Sequence, residues 1–126
     1  MLRGREQGSA VVDFVLVLVI LVPMVLGILQ LSLVLLVRNT LAAAASEGAR
    51  YAATSDRGPD EGAAMTRRQI SGALTGRFAR DVSAHVITVD GAPAVEVTVR
   101  AEVPALGLGG PAVALEVSGR AIEEEP

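Results

Sequence analysis

Phe14 to Val37 reads FVLVLVILVPMVLGILQLSLVLLV. These 24 residues carry no ionisable side chain, and only Gln30 and Ser32 break the run of apolar residues, glycine and proline. As a helix rising ~1.5 Å per residue the run is about 36 Å long. A hydrocarbon core of ~30 Å needs about 20 apolar residues, so the run spans it with tilt to spare. The apolar region of a cleaved secretory signal is shorter, ~7–15 residues, and ends at a small-residue cleavage site. Here the run passes into the Ala-rich stretch Leu41–Ala53 with no turn signal between them. A buried core helix is disfavoured by size, because the rest of the 126-residue chain could not cover it. The sequence therefore predicts one retained membrane helix, spanning about residues 14–37.

Upstream, residues 1–8 (MLRGREQG) form a short polar leader with Arg3, Arg5 and Glu6. Within the run, Pro23 removes one backbone hydrogen bond and is expected to bend the helix, which neighbouring helices tolerate in a bilayer. Downstream, the stretch from Arg38 to Ala53 is rich in alanine and free of proline, so the helix is expected to continue to residue 54. Leu41, Ala45, Gly48 and Ala52 fall near one face at helical spacing. They form a stripe of mostly small residues suited to close packing, including packing with other helices in a membrane.

The segment from Ser55 to Gly62 (SDRGPDEG) has turn chemistry and closes the rod. A second helix is expected over Ala63–Arg80, with Ile70, Leu74 and Phe78 as its apolar face and Gly72 and Gly76 as weak points. From Val82 the period becomes two. Val82, Ala84 and Val86 alternate with Ser83, His85 and Ile87, Asp90-Gly91 is a hairpin signal, and Val95, Val97, Val99, Ala101 and Val103 alternate with Glu96, Thr98, Arg100 and Glu102. After the loop from Pro104 to Pro111, Val113, Leu115 and Val117 form a third strand. Three antiparallel strands with one apolar face need a cover, and the outer half of the long helix and the second helix are the available covers. The fold class is α+β: a long N-terminal helix, a short second helix and a small three-stranded antiparallel sheet. Residues 55–126 make a small extracytoplasmic domain, with Glu123-Glu124-Glu125 as a solvated tail.

Composition removes several chemistries. The chain has no cysteine, hence no disulfide, lipoprotein anchor, thiol nucleophile or Cys-based zinc site. Net charge is −3, and its 11 basic residues, all Arg, are scattered, which leaves no nucleic-acid footprint. His85, the single histidine, has no partners at ligand spacing, and Gly107–Gly110 lies between strands without the helix start a phosphate site requires. No catalytic residue, metal ligand, cofactor or small-molecule substrate is expected, so the chain reads as a non-enzyme. Arg3 and Arg5 before the span nearly balance Arg38 and Arg50 after it, so charge does not set the orientation. A short basic N-terminus ahead of a first apolar segment behaves as a signal anchor, which places the N-terminus in the cytoplasm and the C-terminal domain outside the cytoplasmic membrane.

Asp13 stands where the membrane helix begins, favourable to the helix dipole and costly if drawn into lipid. Its setting, Gly8-Ser9-Ala10-Val11-Val12-Asp13-Phe14, is a glycine, four residues, an acid, an aromatic residue and then the apolar run. This resembles the processing site of type IV prepilins. The resemblance implies a cut between Gly8 and Ser9 by a prepilin peptidase, with Asp13 as the subunit-packing acid that pairs with a neighbouring subunit's new α-amine. The stretch from Arg38 to Ala53 (RNTLAAAASEGARYAA) resembles the signature of TadE/TadG-like proteins of the tight-adherence (Flp) pilus system. Its most specific part runs from Glu47 through Gly48, Arg50 and Tyr51 to Ala53, and the valine-rich strands and the segment Arg120–Glu123 fit the pattern loosely. Asp13 departs from the usual Glu and reaches less far.

The resemblance implies a single-pass minor pilin or pseudopilin that assists assembly of thin pili, with other pilin-like subunits and membrane components of the assembly machine as partners. The competing reading is a signal-anchored extracytoplasmic binding module unrelated to pili. Glu47 and Arg50, three apart on one helix, are expected to pair, and Tyr51 is expected to pack where the rod meets the sheet.

Overall fold

The computed structural model describes residues 2–54, 56–105 and 112–123, with side chains described from Gln7 onward. Helix α1 (Leu2–Ala52) is followed by α2 (Pro59–Ala73), a 3₁₀ turn (Gly76–Ala79), and strands β1 (Asp81–Val89), β2 (Ala92–Pro104) and β3 (Ala112–Ile122). The strands form one antiparallel sheet in the order β1-β2-β3. This is the α+β architecture that the two periodicities predicted.

α1 is longer than expected at its start. The leader is helical from Leu2 and continuous with the rod, and the helix runs unbroken through Pro23. α2 starts four residues earlier than expected and stops earlier too. Pro59 occupies the first turn, where its missing N–H costs nothing, and the Gly58 N–H donates to Glu61 Oε2 at 2.8 Å. That is half of a capping box, the half that needs no side chain at the cap. The far end gives way at Leu74, whose backbone is extended, and the chain resumes as a 3₁₀ turn from Gly76. Leu74 and Phe78 keep their place on the apolar side although neither lies in α2.

The strands are longer than the alternating valines suggested. The β1–β2 turn is the two-residue Asp90-Gly91, both with positive φ (50° and 82°), as a tight hairpin requires. β3 continues past Val117 through Gly119 and Ala121, and the Glu123 N–H still donates to Pro93 O at 2.9 Å. Most of the expected Pro104–Pro111 loop and of the acidic tail lies outside the described residues.

The core lies between the upper half of α1, α2 and the inner face of the sheet. Val82, Val99 and Val117 share one cross-strand row, and Ala84, Val97 and Gly119 the next. Leu41, Ala45, Ala49 and Ile70 pack against these rows and are fully buried. α2 runs back down α1. Gly62 meets Gly48, Thr66 lies against Ala44, and Leu74 and Phe78 line a hollow of about 220 Å³ with Leu33, Val37, Val103 and Pro104. The packed unit thus reaches into the apolar run itself: Val37 is 1% exposed, and Gln30 Nε2 donates to Pro104 O at 3.4 Å.

Candidate functional site

Below Gln30 the helix has almost no company. From Val11 to Leu31 nearly every side chain is exposed, Phe14 at 64% and Ile20 at 72%. Those 21 residues make a rod of about 32 Å, close to the ~30 Å of a hydrocarbon core. Among the described residues, α1 is the one helix long and apolar enough to cross a membrane. The end of the run is shared. Leu33, Val34 and Val37 turn towards the sheet, while Leu35 and Leu36 remain exposed on the other side.

Gly8, Ser9 and Asp13 lie on the exposed lower helix. A side chain at Gly8 would meet nothing within 4 Å, so packing does not require glycine there, and inside a helix glycine is ~0.5–1 kcal/mol worse than alanine. Asp13 makes no ion pair among the described residues. It is a single carboxylate on an apolar surface, and any countercharge must come from outside the described chain.

The upper signature is built differently. Gly48 is a contact point inside the chain: a Cβ there would fall within Thr66 Oγ1 and sit 2.7 Å from Gly62 O. Across the crossing, a Cβ on Gly62 would be 2.5 Å from Ala52 Cβ and 2.7 Å from Gly48 O. The two glycines let α1 and α2 meet backbone to backbone. Thr66, fully buried beside them, has its hydroxyl 2.8 Å from Gly62 O and 3.3 Å from Ala44 O. From the other side β3 brings Gly119 against the Ala45–Ser46 backbone. The stripe Leu41, Ala45, Gly48 and Ala52 therefore packs within the chain, against α2 and the sheet. Its small size serves that packing and leaves little of the stripe for a helix of another chain.

Glu47 and Arg50 pair as expected at 3.6 Å, both well exposed, a contact of a few tenths of a kcal/mol. Tyr51 is half-buried at the top of α1, with the Arg57 guanidinium 3.9 Å above its ring; its identified partner is the turn that follows the helix. Sequence periodicity alone did not reveal that cation–π contact.

The open face of the sheet carries a lattice of charges. Glu96 lies between His85 (3.4 Å) and Arg120, and Arg100 bonds Glu116 at 2.9 Å. The Glu116 hydrogen bond raises the Arg100 guanidinium above its already high pKa. Each group has a cross-strand partner, so the lattice supports strand register. Among the described residues no three His, Asp or Glu side chains gather at metal-binding distance.

The lower rod and the Gly48 crossing are the two halves of one recognisable segment. Residues 8–50 match the TadE-like protein family. The match begins at Gly8 and ends at Arg50, so it takes in Asp13, the apolar rod and the Gly48 crossing. Tyr51, α2 and the sheet lie beyond it. No curated protein and no solved structure matches the chain. The TadE-like segment is thus an exposed apolar rod with one acid, continued by a small-residue half that packs against α2 and the sheet.

Proposed function

We propose that this chain is a single-pass, non-enzymatic component of a tight-adherence pilus system, a minor pilin or pseudopilin whose lower helix packs with other pilin-like helices. In this arrangement the N-terminus is cytoplasmic and the sheet domain extracytoplasmic. The reading is carried by Asp13, a carboxylate on an exposed apolar helix that makes no ion pair among the described residues. An acid costs ~2.5–3.5 kcal/mol at the bilayer centre and less near the interface. A cation from a neighbouring subunit relieves that cost only when the two helices are in register. Removal of the leader after Gly8 would supply such a cation, the α-amine of Ser9. The TadE-like match over residues 8–50 supports the same reading.

Asp13→Ala is expected to insert into membranes like the wild type but to lose co-purification with partner pilins. Equal recovery of partners by mutant and wild type would refute the pairing. Mass analysis of the N-terminus, with and without the cognate prepilin peptidase, tests the processing step: a chain starting at Ser9 supports it, and one retaining Met1 or Leu2 excludes it. The sheet domain lies outside the family match, which keeps a signal-anchored binding module as the second reading. That reading expects Gly8→Ala to change nothing.

A further inference from the structure

We propose that the lower rim of the sheet domain is seated in the lipid headgroup layer, with the Arg77 and Arg80 guanidiniums on lipid phosphates and Phe78 and Val113 at the acyl boundary. This rests on the reading of α1 as a membrane span. α2 and the 3₁₀ turn bring Phe78 down to Leu33 and Val37, inside the apolar run. On the sheet side Pro104 is tied to Gln30, and Val113, paired with Val103, stays 43% exposed. The rod below, Val11–Leu29, is about 28 Å long as a helix and close to a hydrocarbon core in length, so the bilayer surface falls at the height of this rim.

The charges at that height fit phosphate. Arg50, Arg100 and Arg120 have carboxylate partners, Arg67 donates to Val82 O, and Arg57 lies on Tyr51. Arg77 and Arg80, like Arg38 and Arg68, are exposed and make no ion pair among the described residues, and the Arg77 guanidinium lies 5.7 Å from the Phe78 ring centroid. Arg77 and Arg80 both line a hollow of about 520 Å³ above the rim. Guanidinium binds phosphate through paired N–H donors, and arginine extends its apolar stem along the boundary while its head stays with the polar layer. Asp81, Glu102 and Glu116 line the same hollow, so the rim has little net charge. The contact therefore depends on the tether that holds it at the bilayer and is no general attraction to anionic surfaces.

The chain has no tryptophan, so single tryptophans report depth cleanly. The full chain is reconstituted into phosphatidylethanolamine/phosphatidylglycerol vesicles carrying spin-labelled lipids, with probes Phe78→Trp, Val113→Trp, Ile20→Trp and Val86→Trp. Headgroup-level labels should quench the probes at positions 78 and 113, mid-chain labels the probe at 20, and neither the distal probe at 86. Adding Arg77→Glu and Arg80→Glu to the Phe78→Trp chain should red-shift its emission and reduce its quenching. Probes at 78 and 113 as unquenched as the one at 86, with the probe at 20 quenched, would overturn the seating and leave the membrane span intact. An unquenched probe at 20 would overturn the span and the seating together. Quenching at 78 unaffected by the charge reversal would overturn the phosphate contact.

Discussion

Gly119 should be among the least replaceable residues of the sheet domain. A Cβ built there lies 2.5 Å from Ser46 N and 2.6 Å from both Ala45 C and Ser46 Cα, against 3.4 Å or more in ordinary contact. All three atoms are helix backbone, so no rotamer change relieves the clash and β3 must retreat from α1 by about 1 Å. Overpacking of this kind costs ~1–3 kcal/mol. The retreat also opens the contacts of Val97 and Val117 with the helix, and a gap of ~0.5–1 Å forfeits a quarter to a half of each dispersion well. We expect Gly119→Ala to cost about 3 kcal/mol, roughly a hundredfold in an opening equilibrium. The assay is amide hydrogen exchange of β2 in the full chain held in nanodiscs, where Val95, Val97 and Val99 are buried. Gly72→Ala is the control: an added Cβ there meets nothing within 4 Å, and the change is neutral or slightly stabilising on helix propensity. Wild-type exchange rates in Gly119→Ala would refute the close approach of β3 to α1.

The same packing makes other changes predictable. Gly62→Ala should loosen the α1–α2 crossing by ~1–3 kcal/mol, seen as faster tryptic cleavage after Arg67 and Arg68. Thr66→Val should cost only ~0.5–1.5 kcal/mol in thermal unfolding, because the Gly62 and Ala44 carbonyls it leaves can still accept backbone bonds within their helices. Ile70→Ala removes a fully buried side chain and should cost ~2–5 kcal/mol by denaturant unfolding. Glu96→Gln weakens its contacts with Arg120 and His85 at once and should cost ~0.2–1 kcal/mol, with a smaller effect in high salt.

Much of this fold is written in its periodicities. The long apolar run and the strict alternation from Val95 to Val103 pointed to the rod and the central strand because each has one dominant environment. The stripe Leu41, Ala45, Gly48 and Ala52 was visible at helical spacing, but not its partner. Small residues mark a close approach and say nothing of what approaches, and here the chain's own Gly62 and Gly119 do so. The upper strand of β3 was missed for a related reason: Ser118 to Ile122 holds inward residues so small that no apolar alternation stands out. The α2 start was obscured by Pro59 and Gly58, which read as turn residues until Glu61 closes on the Gly58 N–H. Of the candidate site, Gly8 and Asp13 were singled out by the resemblance to prepilin processing sites. The placement of Gln30 against Pro104 was not, because it joins residues far apart in sequence.

The central claim is that one helix is half bilayer span and half domain core, with its acid at the cytoplasmic end. A chain without cysteine can be scanned by single substitutions and a membrane-impermeant maleimide in intact cells. The account predicts labelling of Asp56→Cys from outside, labelling of Gln7→Cys only after permeabilisation, and none for Ile20→Cys under either condition. Ready labelling of Ile20→Cys, or of Gln7→Cys from outside, would contradict it.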